Sequence, residues 1–180
     1  MPPISVLLKP SSSLCNMSCD YCFYCDEASK REVSSYGFME ETTLKNIIRR
    51  TLLRAEGSAA YAYQGGEPTL RGLDFFRKAM EYQKQYNKNH VAVSNALQTN
   101  GYALNEEWCQ FLKENQDVDT VNLHINSNGG LVFEGITIHN VLKGSDKTVN
   151  VIIDGLAASI ASVIAMCGDT VKMYPTSQMM

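Results

Sequence analysis

No apolar run in this chain of 180 residues approaches the length needed to cross a membrane as a helix. The first residues, MPPISVLLKPSSS, lack the charged n-region and cleavage site of a secretory signal, so a cytoplasmic protein is expected. Basic residues are not in excess. A net charge of −3 gives no electrostatic case for a nucleic acid or an anionic membrane as partner. Repeats and low-complexity segments are absent, and the one linker candidate is the polar stretch 114–119. Cysteine is the exception to this plainness. There are six, four of them within eleven residues, and in a reducing compartment they point to metal or catalysis rather than to disulfides. The chain is 44% hydrophobic, enough for a core, and its length suits one domain or two small ones.

Helix and strand periods alternate along the sequence. Strands are expected over 4–8, 59–63 and 91–98, with helical spacing at Leu44, Ile47, Ile48 and Leu52, at Leu73, Phe76, Ala79 and Met80, and at Trp108, Phe111 and Leu112. Further on, Val121, Leu123 and Ile125 alternate with polar residues, a helix is expected over 132–142, a strand over 149–153, a small-residue helix over 157–166 and a last strand over 171–174. The pattern predicts an α/β protein of βα units with parallel strands.

The run CNMSCDYCFY places Cys15, Cys19 and Cys22 on one short loop after the first strand. Three thiolates can hold three irons of a cubane cluster and leave the fourth iron open to a small molecule, whereas closed sites use four ligands. With Cys25 added, a four-thiolate zinc knot is the alternative reading, although zinc sites usually pair two separated knuckles. Cys109, beside Trp108 on a helix, reads as a packed small hydrophobe.

Taken with Phe23-Tyr24, Gln64-Gly65-Gly66-Glu67-Pro68-Thr69-Leu70 and Leu97-Gln98-Thr99-Asn100-Gly101, the cysteine loop makes residues 1–115 resemble the N-terminal part of a radical S-adenosylmethionine enzyme of the anaerobic sulfatase-maturating type. The resemblance implies a [4Fe-4S] cluster on Cys15, Cys19 and Cys22, with S-adenosylmethionine chelating the open iron. It also implies Tyr24 against the adenine, Gln64, Gly65 and Gly66 close to the ligand, Glu67 on the cofactor's ammonium, and Gln98, Thr99 and Asn100 near its ribose and methionyl part. Reductive cleavage to a 5′-deoxyadenosyl radical would follow, with an electron donor such as flavodoxin or ferredoxin and a peptide or protein substrate as partners. Cys25 departs from the family pattern, which has histidine after Phe-Tyr. Only Cys109 and Cys167 follow Cys25, so auxiliary clusters are not expected.

Residues 116–180 resemble an interior segment of the Clp-type serine peptidases, particularly the phage-like kind. The likeness rests on Ile125-Asn126-Ser127-Asn128-Gly129-Gly130, Phe133-Glu134-Gly135 and the run from Asp154 to Ser162. It implies a nucleophile at Ser159 and an oxyanion hole from the N–H groups of Gly130 and Ile160. Asn128 stands where proline is usual. His90, His124 and His139 all precede Ser159 and none matches the family's base, so peptidase activity is not expected.

The chain therefore reads as a fusion of two partial domains. A partial radical S-adenosylmethionine (β/α) barrel over 1–115 is joined to a Clp/crotonase-like βαβαβ segment over 116–180, with the seam at residues 115–119. One six-stranded parallel sheet is the arrangement that would bury both pieces in one core. The rival reading is a fused fragment without catalysis.

Overall fold

The computed structural model describes residues 2–20, 22–115 and 120–180. It divides into two compact units, Met1–Ala103 and Leu104–Met180. The seam expected from sequence lies largely outside the described residues.

The first unit is built from β1 (Ile4–Leu8), α1 (Phe23–Ser29), α2 (Glu41–Leu52), β2 (Ser58–Tyr63), α3 (Leu73–Tyr86) and β3 (Ala92–Leu97). Its three strands are parallel, with β2 central. Burial alternates along β2, where Ala59, Tyr61 and Tyr63 face inward, as the period of two in a strand requires. Leu44, Ile48 and Leu52 of α2 recur every four residues and are fully buried. Phe75, Phe76 and Ala79 of α3 complete this core. In register, Leu8 pairs with Tyr63 and Tyr63 with Leu97. The three strands thus end level, and the segments that follow them leave from one sheet edge.

The second unit carries α4 (Glu106–Glu114), β4 (Thr120–Ser127), α5 (Val132–Lys143), β5 (Thr148–Ala157), α6 (Ile160–Ala165), β6 (Thr170–Met173) and β7 (Gln178–Met179). The sheet order is β4-β5-β6, all parallel, with β7 pairing the far end of β5. One face is apolar, with Ile125, Val149, Val151 and Ile153 packed against Ala161, Ala165 and Cys167. The other face is a polar ladder. Asn150 Nδ2 donates to Asn122 Oδ1 at 3.2 Å and the Thr170 hydroxyl donates to Asn150 Oδ1 at 2.6 Å.

The α/β class and the parallel βα units agree with the sequence reading. The single six-stranded sheet does not: among the described residues the strands fall into two sheets, of three and four strands. Strand–helix alternation fixes local periodicity, but it carries no information on which strands pair. The helix expected from 157 begins later, at Ile160, because β5 continues through Asp154 and Gly155 to Ala157. The sequence reading also missed α1, which buries no residue, and β7, which is two residues long.

Burial pushes the Tyr61 phenol up to about 12 and raises Tyr63 as well. A group whose pKa is raised by folding stabilises fully below its unfolded value and loses that contribution as pH climbs through the folded one. The first unit is therefore expected to lose stability between about pH 10 and 12. Denaturant midpoints across that range, compared with those of Tyr61→Phe, check this, the variant showing the shallower loss.

Candidate functional site

All three sequence motifs of the first unit emerge at the carboxyl edge of its sheet. Gln64 N–H donates to Leu8 C=O at 3.0 Å and Gln98 N–H to Tyr63 C=O at 2.9 Å, so Gln64 and Gln98 stand one residue past the strand pairing, while Cys15 follows β1 by seven residues. In parallel α/β sheets this edge is where ligands bind.

The cysteine loop is fastened before its first thiol. Leu14 N–H donates to Ser11 C=O at 2.9 Å, and Leu14 C=O accepts from Glu67 N–H at 2.7 Å. Gly66 has φ +47, and a Cβ there would collide with the Leu14 carbonyl; one on Gly65, at φ +89, would meet the Lys9 side chain. The room these glycines leave admits the Lys9 side chain and the backbone of Ser12 to Leu14, ahead of Cys15.

Glu67 is 1% exposed. Its Oε1 accepts from Thr69 N–H at 2.9 Å, the Thr69 hydroxyl at 2.5 Å and the Thr99 hydroxyl at 2.8 Å, and its Oε2 accepts from Asn100 N–H at 2.6 Å. Sequence reasoning placed a cofactor ammonium on this carboxylate. In the structure both oxygens accept from the chain's own donors, three on Oε1 and one on Oε2, which join the 64–70 motif to the 98–101 motif. Asn100 continues the chain of contacts, donating from Nδ2 to Asn16 Oδ1 at 2.9 Å and to Cys15 Sγ at 3.7 Å. Gln64 Nε2 donates to the Tyr24 hydroxyl at 3.1 Å, and Lys9 Nζ stands 4.8 Å from the Tyr24 ring centroid, a cation–π contact.

Cys15, Cys19, Cys22 and Cys25 are free, half-buried thiols. Cys22 is the N-cap of α1, and the Cys25 N–H pulls its thiol below the ordinary range. The hydrogen bond to Cys22 raises Cys25. The donor chemistry fits an iron–sulfur cluster. Three thiols share one loop, and Cys15 Sγ accepts N–H donors from Met17 at 3.4 Å and from Asn100, the kind of contact that tunes cluster sulfurs. Among the described residues no group of three or more stands at metal-holding distance, so ligation requires the sulfurs to draw together. Cys109 is half-buried and raised by burial, in keeping with a packed thiol.

In the second unit Ser159 is exposed at the N-cap of α6, with φ +52 and ψ −131. Gly129, at φ +99, allows the 127–130 turn to lie against it, since a Cβ there would stand 2.7 Å from the Ser159 Cβ. Ser159 N–H donates to Met180 C=O at 2.9 Å. Gly130 is exposed in the same turn, and Ile160 opens α6 with its side chain against Gly135. The expected serine and oxyanion donors therefore sit on adjoining segments. A pair missed from sequence is His124 with Asp154, whose atoms approach to 3.1 Å across β4 and β5. That histidine precedes Ser127 by three strand residues, about 10 Å, and Ser127 is the residue level with Ala157. His124 thus lies below the level of the 127–130 turn that adjoins Ser159. His139 bonds its neighbour Asn140 instead.

The Clp protease family model matches residues 76–180. Among curated relatives, the cysteine-type anaerobic sulfatase-maturating enzyme of Clostridium perfringens is 48% identical over 116 residues, which is 64% of this chain and 31% of that protein. The ATP-dependent Clp protease proteolytic subunit of Ligilactobacillus salivarius is 35% identical over 72 residues, 39% of this chain and 36% of that one. A solved structure described as native anSMEcpe with bound AdoMet and Cp18Cys peptide superposes with a TM-score of 0.65 at 34% identity, covering 85% of this chain and 43% of that one. The chain spans about a third of the length of the curated maturases it matches. The Clp match reaches back to residue 76, inside α3, whereas the sequence motifs mark the likeness only from about 117.

The Gly66 contact makes a prediction. Gly57 also has positive φ, +79, but open space around its Cβ position. Gly57→Ala should cost only left-handed strain, about 1–2 kcal/mol. Gly66→Ala should cost more, because the cysteine loop must shift. Denaturant midpoints of the two variants check this.

Proposed function

We propose that this chain, which belongs to the Clp protease family through residues 76–180 and is homologous to anaerobic sulfatase-maturating enzymes over 64% of its length, works through its first unit as a maturase-like radical S-adenosylmethionine protein. The observation that carries this reading is the joint at Glu67, which locks the cysteine loop, the Gly-Gly-Glu turn and the Thr-Asn-Gly turn into one surface. Cys15, Cys19 and Cys22 would ligate a [4Fe-4S] cluster, which when bound supplies one electron to cleave S-adenosylmethionine to methionine and a 5′-deoxyadenosyl radical. Tyr24, oriented by Gln64 and Lys9, offers a ring face for the adenine. Gln98, Thr99 and Asn100 border the space beside the loop and orient the rest of the cofactor. The Asn100 amide also holds Cys15 from outside. A flavodoxin- or ferredoxin-like electron donor and a peptide or protein substrate are the partners this reading calls for.

Formation of 5′-deoxyadenosine by the anaerobically reconstituted, dithionite-reduced protein tests the reading. Turnover is expected for the native chain and its loss for Cys19→Ala. Absence of 5′-deoxyadenosine from a chain that holds its cluster would reject the cleavage step.

A second reading draws on the left-handed backbone of Ser159, a feature of strained, presented nucleophiles. Among the described residues of the second unit, neither histidine is bonded to Ser159: His124 faces Asp154 and His139 contacts Asn140. A fluorophosphonate probe is therefore expected to leave Ser159 unlabelled when read by peptide mass spectrometry. Stoichiometric labelling would restore the hydrolase reading.

A further inference from the structure

Helix α1 has no buried residue, so apolar packing does not fix it against the sheet. One of its side chains, Tyr24, is nevertheless held at three points. Its hydroxyl accepts from Gln64 Nε2 at 3.1 Å. Its ring centroid stands 4.8 Å from Lys9 Nζ, and the Phe23 ring meets it edge-on, 5.7 Å away at 75°. Gln64 and Lys9 belong to the sheet edge, one residue past β2 and β1. Phe23 belongs to α1 itself, so of the three only Gln64 and Lys9 tie the ring to the sheet.

The backbone places Lys9 for this contact. Leu8 C=O accepts from Gln64 N–H at 3.0 Å and Pro10 C=O from Met39 N–H at 2.7 Å, which pins the chain on both sides of it. Its stem lies on Gly65, where a Cβ would stand 2.9 Å from Lys9 Cγ and 3.1 Å from Cδ. The alkyl part is thus laid on backbone and the ammonium carried beyond it. Among the described residues Lys9 makes no ion pair, and the Tyr24 ring is the group its ammonium faces. An exposed cation over a ring adds little to stability, so the consequence of the contact is geometric. A phenol held at its hydroxyl alone still turns about the axis from Cβ through the oxygen, because that torsion is broad. A cation over one ring face opposes the turn.

We propose that Lys9 is a positioning residue for the cofactor: its ammonium holds the Tyr24 ring in the orientation that receives the adenine of S-adenosylmethionine. It acts on cofactor affinity only through that ring. The inference rests on the radical S-adenosylmethionine reading above. Ordering the ring before binding lowers the entropy lost on binding, which is the general gain from preorganisation. Gly65 then has a second task beside its left-handed turn, since it seats the Lys9 stem.

The test uses the full chain, reconstituted anaerobically and titrated calorimetrically with S-adenosylmethionine. Lys9→Met keeps the stem over Gly65 and removes the charge, so its cluster iron and denaturant midpoint should match those of the native chain. Its affinity should fall about two- to fivefold. Lys9→Arg, whose guanidinium also stacks on aromatic faces, should recover most of that loss. The Lys9→Met loss should persist in Tyr24→Phe, which keeps the ring, and vanish in Tyr24→Leu, the pairwise coupling that a double-mutant cycle isolates. A second readout needs neither cluster nor cofactor. Proton NMR of the chain should show the Lys9 ε-methylene shifted upfield by the ring, the shift kept in Tyr24→Phe and lost in Tyr24→Leu. Equal affinities for the native chain and Lys9→Met, an undiminished Lys9→Met loss in Tyr24→Leu, or no ring-current shift would each overturn the role of Lys9 and leave the cofactor reading standing. A native chain that holds its cluster and does not bind S-adenosylmethionine would overturn that reading and this inference with it.

Discussion

The first unit depends on one buried carboxylate. Glu67 holds two turns that are far apart in sequence, one after β2 and one after β3, while its own N–H holds the residue before Cys15. Burying a carboxylate costs several kcal/mol, and hydrogen bonds to a charged group return about 1.5–3 kcal/mol each. Four such bonds offset the cost, and through them and its own N–H Glu67 ties together the three loops that leave the sheet edge. The same joint explains the paired glycines, since only residues without side chains let the 65–66 backbone lie against the cysteine loop.

The second unit is governed by a different constraint, an apolar sheet face covered by short helices and a polar face laced by Asn122, Asn150 and Thr170. Its small residues serve close packing. Ile160 sits where any side chain on Gly135 would be, and Gly129 makes room for Ser159. This brings together a presented serine and its neighbouring turn. The His124–Asp154 pair belongs to the polar face, lower on the sheet, and fastens β4 to β5 there. A serine and a histidine–carboxylate pair in one small unit are not a triad unless the register brings them level.

Much of this was legible in the sequence because the informative signals are local. Alternation along β2 and four-residue spacing in α2 follow directly from backbone geometry, and the motifs mark strand ends. What stayed hidden depends on partners distant in the chain. Nothing in Gly65-Gly66 says whether a ligand or the loop before Cys15 lies opposite. Nothing in Glu67 itself names Thr69, Thr99 and Asn100 as the donors that surround it. Cross-strand neighbours such as His124 and Asp154 are thirty positions apart, and only the parallel register makes them adjacent. The membership of strands in two sheets is equally non-local. The helix α1 escaped notice because it has no buried face, its visible signals being the exposed pairs Asp26–Lys30 and Glu27–Arg31.

The central claim is that the cysteine loop and the two turns beside it form one cluster-and-cofactor site on the first sheet's carboxyl edge. Low-temperature EPR of the reconstituted, reduced protein, recorded with and without S-adenosylmethionine, addresses it most directly. The account predicts a reduced [4Fe-4S] signal whose shape changes when the cofactor is added. A cluster signal indifferent to the cofactor, or no cluster despite iron and sulfide in excess, would contradict it.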